Sequence, residues 1–390
     1  MNVLLLAPHP FYRERGTPID VLLVLRVLSE RPDVRVTVLS YAEGEDVDLP
    51  DVEVRRTPDL ALLRGVRPGF SLRKLATDVL FFVRAWRLVR SGEYDLVHAG
   101  EEAAFMALVF RAVHGVPYAY DLDSSVAQQL VEQLPALRLL APLFHRLEGL
   151  AVRRSVAALP VCDALAELCR DHGAERVFPL YDISQLEEPD APATGLLREA
   201  AGIGRDRIVA LYVGNLEPYQ GVDLLLESFA VAARREPRLD LVVVGGDAER
   251  VSDYERRADE LGAGDRVHFL GHRPFEQLHL YLADADILVS PRVRGVNTPM
   301  KLFAYLHSGK AVLATELRTH TQVITDEAML AAPEPEAFGQ ALARLAGDPD
   351  LRRELGERGR RLVEEKHTFE AHRQRLTRAY DRIRETLAQR

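Results

Sequence analysis

Three cations gather in one short stretch: Arg292, Arg294 and Lys301 lie within S-P-R-V-R-G-V-N-T-P-M-K-L-F-A-Y-L-H-S-G-K-A-V-L-A-T, residues 290–315. The residues between them are loop formers and a helix start. After Asn297, Thr298 is suited to cap a helix by accepting from an unpaired backbone N–H, and Pro299 loses nothing in the first turn by lacking one. A helix is expected over 299–308, stopped by Gly309. Loop amides, a helix N-terminus and cations therefore converge between an apolar strand at 287–289 and another at 311–314. In an open parallel sheet, that is where an anion binds. The alternative is an ordinary β-loop-α-β unit with solvated Arg and Lys. Two further candidates sit at expected strand ends. His98 closes the strand 95–98 and Asp123 follows the strand 118–122, which places both on the rim where chemistry collects. The competing readings are a hydrogen-bonded strand-end histidine and, for Asp123-Ser124-Ser125, a cap on the next helix.

The elements that must place these residues repeat along the chain. A strand at 3–7 runs through His9-Pro10-Phe11-Tyr12-Arg13-Glu14-Arg15-Gly16-Thr17-Pro18 into a helix over 19–29. Gly16 permits a close backbone approach, and Thr17-Pro18 repeats the cap-plus-proline start of Thr298-Pro299. Strands at 34–39 and 52–55 follow, then a helix over 101–113, a helix over 135–154, a strand at 157–162 and a helix over 163–172. Apolar strands alternating with helices specify an α/β fold built on doubly wound parallel sheets. At 178–204 the pattern lapses into a Pro-rich, acidic stretch that suits a linker. A second cycle begins with a strand at 208–213 and the loop Gly214-Asn215-Leu216-Glu217-Pro218-Tyr219-Gln220-Gly221. It continues with a helix over 222–235, a strand at 239–244 ending in Gly245-Gly246, a helix over 254–261, a strand at 267–270 and a short helix over 276–283. The domains are thus expected at 1–177 and 205–366, joined by the linker 178–204. A polar helix within 367–390 should pack on a surface rather than sit in a core.

A chain of 390 residues with 47% hydrophobic composition can bury two cores. Its net charge of −9 argues against nucleic-acid binding, which needs a basic face. Two cysteines, Cys162 and Cys169, have no others to complete a metal site and read as reduced, buried thiols of a cytoplasmic protein. The N-terminal apolar run is too short for a signal peptide, and no run is long enough to span a membrane. Residues 64–90 stand apart, with Arg64, Arg67, Arg73, Lys74, Arg84, Arg87 and Arg90 against the single acid Asp78, interleaved with Phe70, Phe81, Phe82 and Trp86. Such a surface can dock on anionic lipid headgroups at the inner membrane face. The alternative is a core-packing helix with a solvated basic face.

Five motifs together resemble glycosyltransferase family 4. They are Phe11…Arg15-Gly16-Thr17-Pro18, Tyr94-Asp95-Leu96-Val97-His98-Ala99, Tyr212-Val213-Gly214-Asn215-Leu216-Glu217-Pro218-Tyr219-Gln220-Gly221-Val222-Asp223, Asp286-Ile287-Leu288-Val289-Ser290-Pro291-Arg292, and Asn297-Thr298-Pro299-Met300-Lys301 through Gly309-Lys310. The resemblance implies the GT-B fold, two Rossmann-like domains facing a cleft. It implies transfer of a sugar, of hexosyl type, from a nucleotide-sugar donor with retention of configuration, with no cofactor and no metal. The acceptor, a glycan or lipid-linked molecule, would bind the N-terminal domain and the nucleotide the C-terminal one. The last helix would cross back to the first domain.

The family pattern also marks departures. Its paired glutamates fall here on Val296 and Ala304, its diphosphate-binding Arg and Lys on Asn215 and Gln220, and its histidine after the strand 118–122 on Asp123. The chain resembles a subgroup with Asn-Thr-Pro-x-Lys and a small residue in place of the helix glutamate. The donor site implied comprises Gly16, Thr17, Gly214, Asn215, Gln220, Gly245, Gly246, Arg292, Asn297, Thr298 and Lys301. Arg292 and Lys301 would meet the charge on the leaving diphosphate, while His98 or Asp123 would position or deprotonate the acceptor. Two other functions remain open from the sequence: a catalytically silent protein that binds a sugar nucleotide or a partner, and a sugar-nucleotide epimerase on the same fold.

Overall fold

The computed structural model describes residues 1–11, 16–45, 48–66, 71–133 and 135–389. The chain divides into two compact units, one of 1–181 with 372–390 and the other of 182–371. Among the described residues each unit holds one parallel sheet of six strands.

In the first unit the strands are β1 (Asn2–Leu6), β2 (Arg35–Ser40), β3 (Val52–Arg56), β4 (Leu96–Gly100), β5 (Tyr118–Leu122) and β6 (Ala157–Pro160). Their order is β3-β2-β1-β4-β5-β6. The reversal of direction between β1 and β4 is the switch point at which open α/β sheets present ligand sites. β4 pairs with β1 through His98 and Leu5, and with β5 through His98 and Ala119. His98 therefore lies inside its strand and not at its end. The second unit repeats the plan with β7 (Ile208–Val213), β8 (Leu239–Val244), β9 (Val267–Gly271), β10 (Ile287–Ser290), β11 (Ala311–Thr315) and β12 (Met329–Ala331). The order β12-β11-β10-β7-β8-β9 puts its switch point between β7 and β10.

Why these runs form parallel strands is visible in their burial. Ile208, Ala210, Tyr212, Leu239, Leu241 and Val243 face one core of the second unit. The alternate residues Val209, Leu211, Val242 and Val244 face the other. A sheet covered on both faces requires strands that are apolar throughout, which is how these segments read.

Several expectations on helices change. Residues 126–154 form a helix at Val126–Gln133, a 3-10 turn at Pro135–Leu140 and a helix at Ala141–Arg154, in place of one helix over 135–154. Pro142, in the first turn of the second helix, has no backbone N–H with which to continue the preceding turn, and breaks the run. The stretch 178–204 contains the short helix Leu196–Ala201. The helix expected at 254–261 spans Ala248–Glu260, begun by Asp247, whose side chain accepts from Arg250 N. Cys162 and Cys169 are buried and reduced. The polar helix Phe369–Ala388 buries His372, Leu376, Ala379, Tyr380 and Ile383, one stripe at helical spacing. Among the described residues, no helix is long and apolar enough to cross a membrane.

Candidate active site

The helix after β10 begins at Lys301 and ends at His307. Its N-cap is Met300, in helical conformation and without a side-chain cap bond, so Thr298 does not cap it as the sequence suggested. Thr298 is instead buried, and its hydroxyl accepts from Gln322 Nε2 at 3.0 Å. With that side chain committed elsewhere, the helix starts two residues later than expected.

Lys301 carries a charge with no ion pair among the described residues. Its ammonium is shielded from solvent and has no hydrogen-bond partner among the described residues. It lies 3.9 Å from the centroid of the Tyr212 ring, a cation–π contact. Burial, reinforced by Arg292, drives its pKa well below the ordinary lysine value. A Cβ on Gly214 would stand 2.9 Å from Lys301 Nζ, so glycine there keeps the approach to the ammonium open. The tyrosine is itself held, its hydroxyl donating to Asn215 O at 2.7 Å. Gly245 lies against the same turn: a Cβ at this position would reach Gly214 O at 2.0 Å, and its φ is +116°. Lys301, Gly214 and Gly245 are thus gathered at the carboxyl ends of β7 and β8. Gly246 packs over Leu216.

Arg292 is differently employed. Its Nε donates to Arg294 O at 2.8 Å, and its terminal nitrogens donate to Asn297 O and Oδ1 at 3.2 Å each. Its guanidinium lies 5.2 Å from the centroid of the Tyr219 ring. Arg292 and Asn297 therefore fold the loop that leads to Lys301. Asn215 is exposed and donates to Tyr219 at 3.4 Å, while Gln220 Oε1 is buried without a partner among the described residues. Beneath the loop lies a network that the sequence reading did not single out. His320, buried, meets Ser290 Oγ at 2.8 Å through Nε2 and Thr315 O at 3.0 Å through Nδ1. The carbonyl can only accept, so Nδ1 carries the proton and Nε2 accepts from Ser290. Burial first, then Arg292 and Lys301, lowers the His320 pKa to about 4 and keeps the ring neutral. Thr315 Oγ1 donates to Arg292 O at 2.6 Å and ties the network to the loop.

In the first unit, His98 is 1% exposed with both ring nitrogens engaged. Nε2 meets Asp121 Oδ2 at 3.0 Å and Nδ1 meets the Tyr380 hydroxyl at 2.9 Å. That is the hydrogen-bonded core histidine, and no nitrogen is left to touch a substrate. Asp123 is half-buried just beyond β5. The cap on the helix Val126–Gln133 comes from Ser125, whose Oγ accepts from Gln128 N at 3.2 Å. Gly16 opens the helix Gly16–Ser29, so Thr17 and Pro18 sit within its first turn and not before it. Arg15 of the same motif lies outside the described residues, as do Arg67 and Phe70 of the basic segment.

One acid at the rim is new. Glu101 follows β4 with φ +51°, a left-handed conformation that costs a non-glycine residue roughly 1–3 kcal/mol. Ser124 Oγ donates to its two oxygens at 3.2 and 3.3 Å. Burial first, then the charge of Glu102, pushes its pKa up to about 8. Glu102 pairs with Lys74, which also holds Asp78 at 3.2 Å. Strain and a perturbed carboxyl at a sheet's switch point make Glu101 a candidate functional position. In the sequence Glu101 resembles an ordinary first-turn acid, since a backbone angle leaves no local trace.

Residues 16–180 match the family described as glycosyl transferase 4-like domain, and residues 195–362 match glycosyl transferases group 1. An alpha-D-kanosaminyltransferase of Streptomyces kanamyceticus is 26% identical over 85% of this chain and 89% of its own length. A D-inositol 3-phosphate glycosyltransferase of Corynebacterium glutamicum is 24% identical over 95% of this chain and 88% of its own. Among solved structures, a sucrose-phosphate synthase from Thermosynechococcus elongatus superposes with a TM-score of 0.78 at 20% identity, covering 99% of both chains. Anabaena HepE in complex with UDP gives 0.74 at 18% identity, over 98% of this chain and 100% of that one.

The Glu101 carboxyl carries a pH signature. A carboxyl whose folded pKa is raised binds its proton more tightly in the folded state, so its contribution is complete below the unfolded value near 4.5 and is lost as pH rises toward 8. Replacing Glu101→Gln removes this dependence. The melting temperature of the variant minus that of the wild type should rise between pH 4.5 and 8; a constant difference across that range would contradict the assignment.

Proposed function

We propose, from the premise that this chain belongs to the family 4 glycosyltransferases and has their GT-B fold, that it transfers a hexosyl group from a nucleotide sugar to an acceptor hydroxyl with retention of configuration. The observation that carries this reading is the Lys301 ammonium, desolvated and without a hydrogen-bond partner among the described residues. A buried cation without a counter-charge is costly, and a diphosphate oxygen is the charge-assisted partner it lacks. When the glycosidic C–O bond of the donor breaks, negative charge builds on the leaving phosphate, and a preorganised cation stabilises it there. Gly214 and Gly245 let backbone approach the same phosphate, and Asn297 and Thr298 hold the loop that delivers Lys301. Arg292 acts through that loop, to which it gives three of its five N–H donors.

On the acceptor side, Glu101 and Asp123 take the role of gripping the incoming hydroxyl. Protonated near neutral pH, Glu101 both donates and accepts a hydrogen bond. His98 acts behind them through Asp121. The acceptor class favoured is lipid-linked, with the protein cytoplasmic and peripheral on the membrane. Support comes from the helix Leu72–Arg90, which exposes Leu72 (81%), Leu75 (50%), Val79 (56%) and Val83 (40%) beside exposed Arg73, Arg87 and Arg90. Lys74 does not belong to that face, being turned to Glu102 and Asp78. The commitment of Arg292 favours one other reading, a silent nucleotide-sugar binder, which would show no donor hydrolysis even without acceptor.

Lys301→Ala should leave the fold intact and remove a charge-assisted contact worth about 1.5–3 kcal/mol, lowering turnover roughly 10- to 150-fold or more. Assays against UDP-, GDP-, ADP- and dTDP-sugars, paired with circular dichroism, decide this, and near-normal activity would remove the diphosphate assignment. Changing Arg84, Arg87 and Arg90 to Glu reverses charges worth about 1 kcal/mol each near a lipid surface. Co-sedimentation with anionic vesicles should then be lost; equal retention of variant and wild type would remove the membrane contact.

A further inference from the structure

We propose that His145, Glu148 and His172 of the first unit form a zinc-type divalent-cation site, separate from the handling of the sugar donor. One ligand atom from each lies within 4.8 Å of the others. His145 and Glu148 are three residues apart on the helix Ala141–Arg154, a spacing that puts both on one face. His172 is the C-cap of the helix Asp163–Asp171 and turns toward that face. Two histidines and a carboxylate, with a fourth position open to water, are a familiar zinc donor set.

The second observation is electrostatic. Glu148 is completely buried, and its hydrogen bonds come from neutral donors: Ser125 Oγ to Oε2 at 2.8 Å and Ala127 N to Oε1 at 3.2 Å. Among the described residues no Lys or Arg pairs with it, so a divalent ion would supply the counter-charge that its ionised form lacks. The His172 Nε2 atom is out of solvent and has no hydrogen-bond partner among the described residues. It stands 3.8 Å from Glu148 Oε2, too far for a hydrogen bond. The separation suits two ligands on one ion, since bonds of about 2.0–2.1 Å set ligand atoms roughly 3.3–4 Å apart.

The surroundings fit the imidazole closely. A Cβ on Gly149 would come within 2.8 Å of His172 Nδ1, so glycine next to Glu148 makes room for the ring against the helix. Arg153 donates to His172 O at 3.0 Å and fixes the cap residue. Ser125 orients the carboxylate, the kind of outer contact that metal-ligating acids receive. Ser125 also accepts from Gln128 N at 3.2 Å, and the adjacent Ser124 donates to Glu101. An ion here would therefore brace the turn that supports the candidate acceptor rim.

The test uses the full chain, treated with chelator and then titrated with Zn2+ by calorimetry, with Mg2+ as the control and melting temperature as the second readout. The wild type should bind a single Zn2+ and melt higher with it, and Mg2+ should do neither. His145→Ala, at an exposed position, and His172→Ala should each weaken Zn2+ binding at least roughly tenfold and abolish the melting shift. Circular dichroism verifies that the variants are folded, and the exposed His145 site keeps the test valid even if His172→Ala unfolds. Absence of Zn2+ binding by the wild type, or wild-type affinity in the folded His145→Ala variant, would overturn the proposal.

Discussion

The desolvation of one ammonium organises the candidate site of the second unit. Lys301 is carried into the sheet's edge by the first turn of its helix, over the face of Tyr212 and beside a glycine turn. A cation–π contact offsets only part of the hydration it gives up. The remainder is a standing preference for an anion. The features around it serve that state: glycines that keep the approach open, a tyrosine pinned by Asn215 O, and a loop held shut by Arg292. The His320 network beneath is neutral, so it supports the loop without adding a competing charge. With the uncharged Asn215 and Gln220 in the neighbouring loop, an anion bound here would then rely on one preorganised lysine.

The first unit solves a different problem. Its rim collects Glu101, Glu102, Asp78 and Lys74; Lys74 pairs with Glu102 and Asp78, and burial with the charge of Glu102 raises the Glu101 pKa. Behind the rim, His98 is fixed between Asp121 and Tyr380, which leaves it an internal strut. The strained backbone at Glu101 persists because β4 on one side and the Ser124 hydrogen bonds on the other overdetermine it.

Much of the fold was legible in the sequence. The strands Tyr118–Leu122, Ile208–Val213 and Leu239–Val244 and the helix Val222–Arg235 have the boundaries that apolar runs and helical periodicity specify. Both sheets are parallel and doubly wound, as strand–helix alternation requires. What was lost was lost for physical reasons. The start at Thr298-Pro299 was misplaced because a tertiary hydrogen bond from Gln322 outcompetes capping. The polar helix Phe369–Ala388 conceals a buried stripe because its flanks carry so many charges. For His98 the sequence left the hydrogen-bonded and the functional reading both open, since the partners that decide between them, Asp121 and Tyr380, lie far away in the chain. Glu101 was invisible, as neither a positive φ nor a retained proton is written in residue type. The location of Lys301 was legible; its isolation was not.

The central claim is that Lys301 waits as a desolvated cation for a diphosphate. The direct measurement is the pKa of its ammonium by nitrogen-detected NMR, in the free protein and with a saturating nucleotide diphosphate. The account requires a pKa well below that of an ordinary lysine in the free protein and a marked rise on binding, because the anion supplies the missing counter-charge. An ordinary pKa that does not move when the nucleotide binds would contradict it.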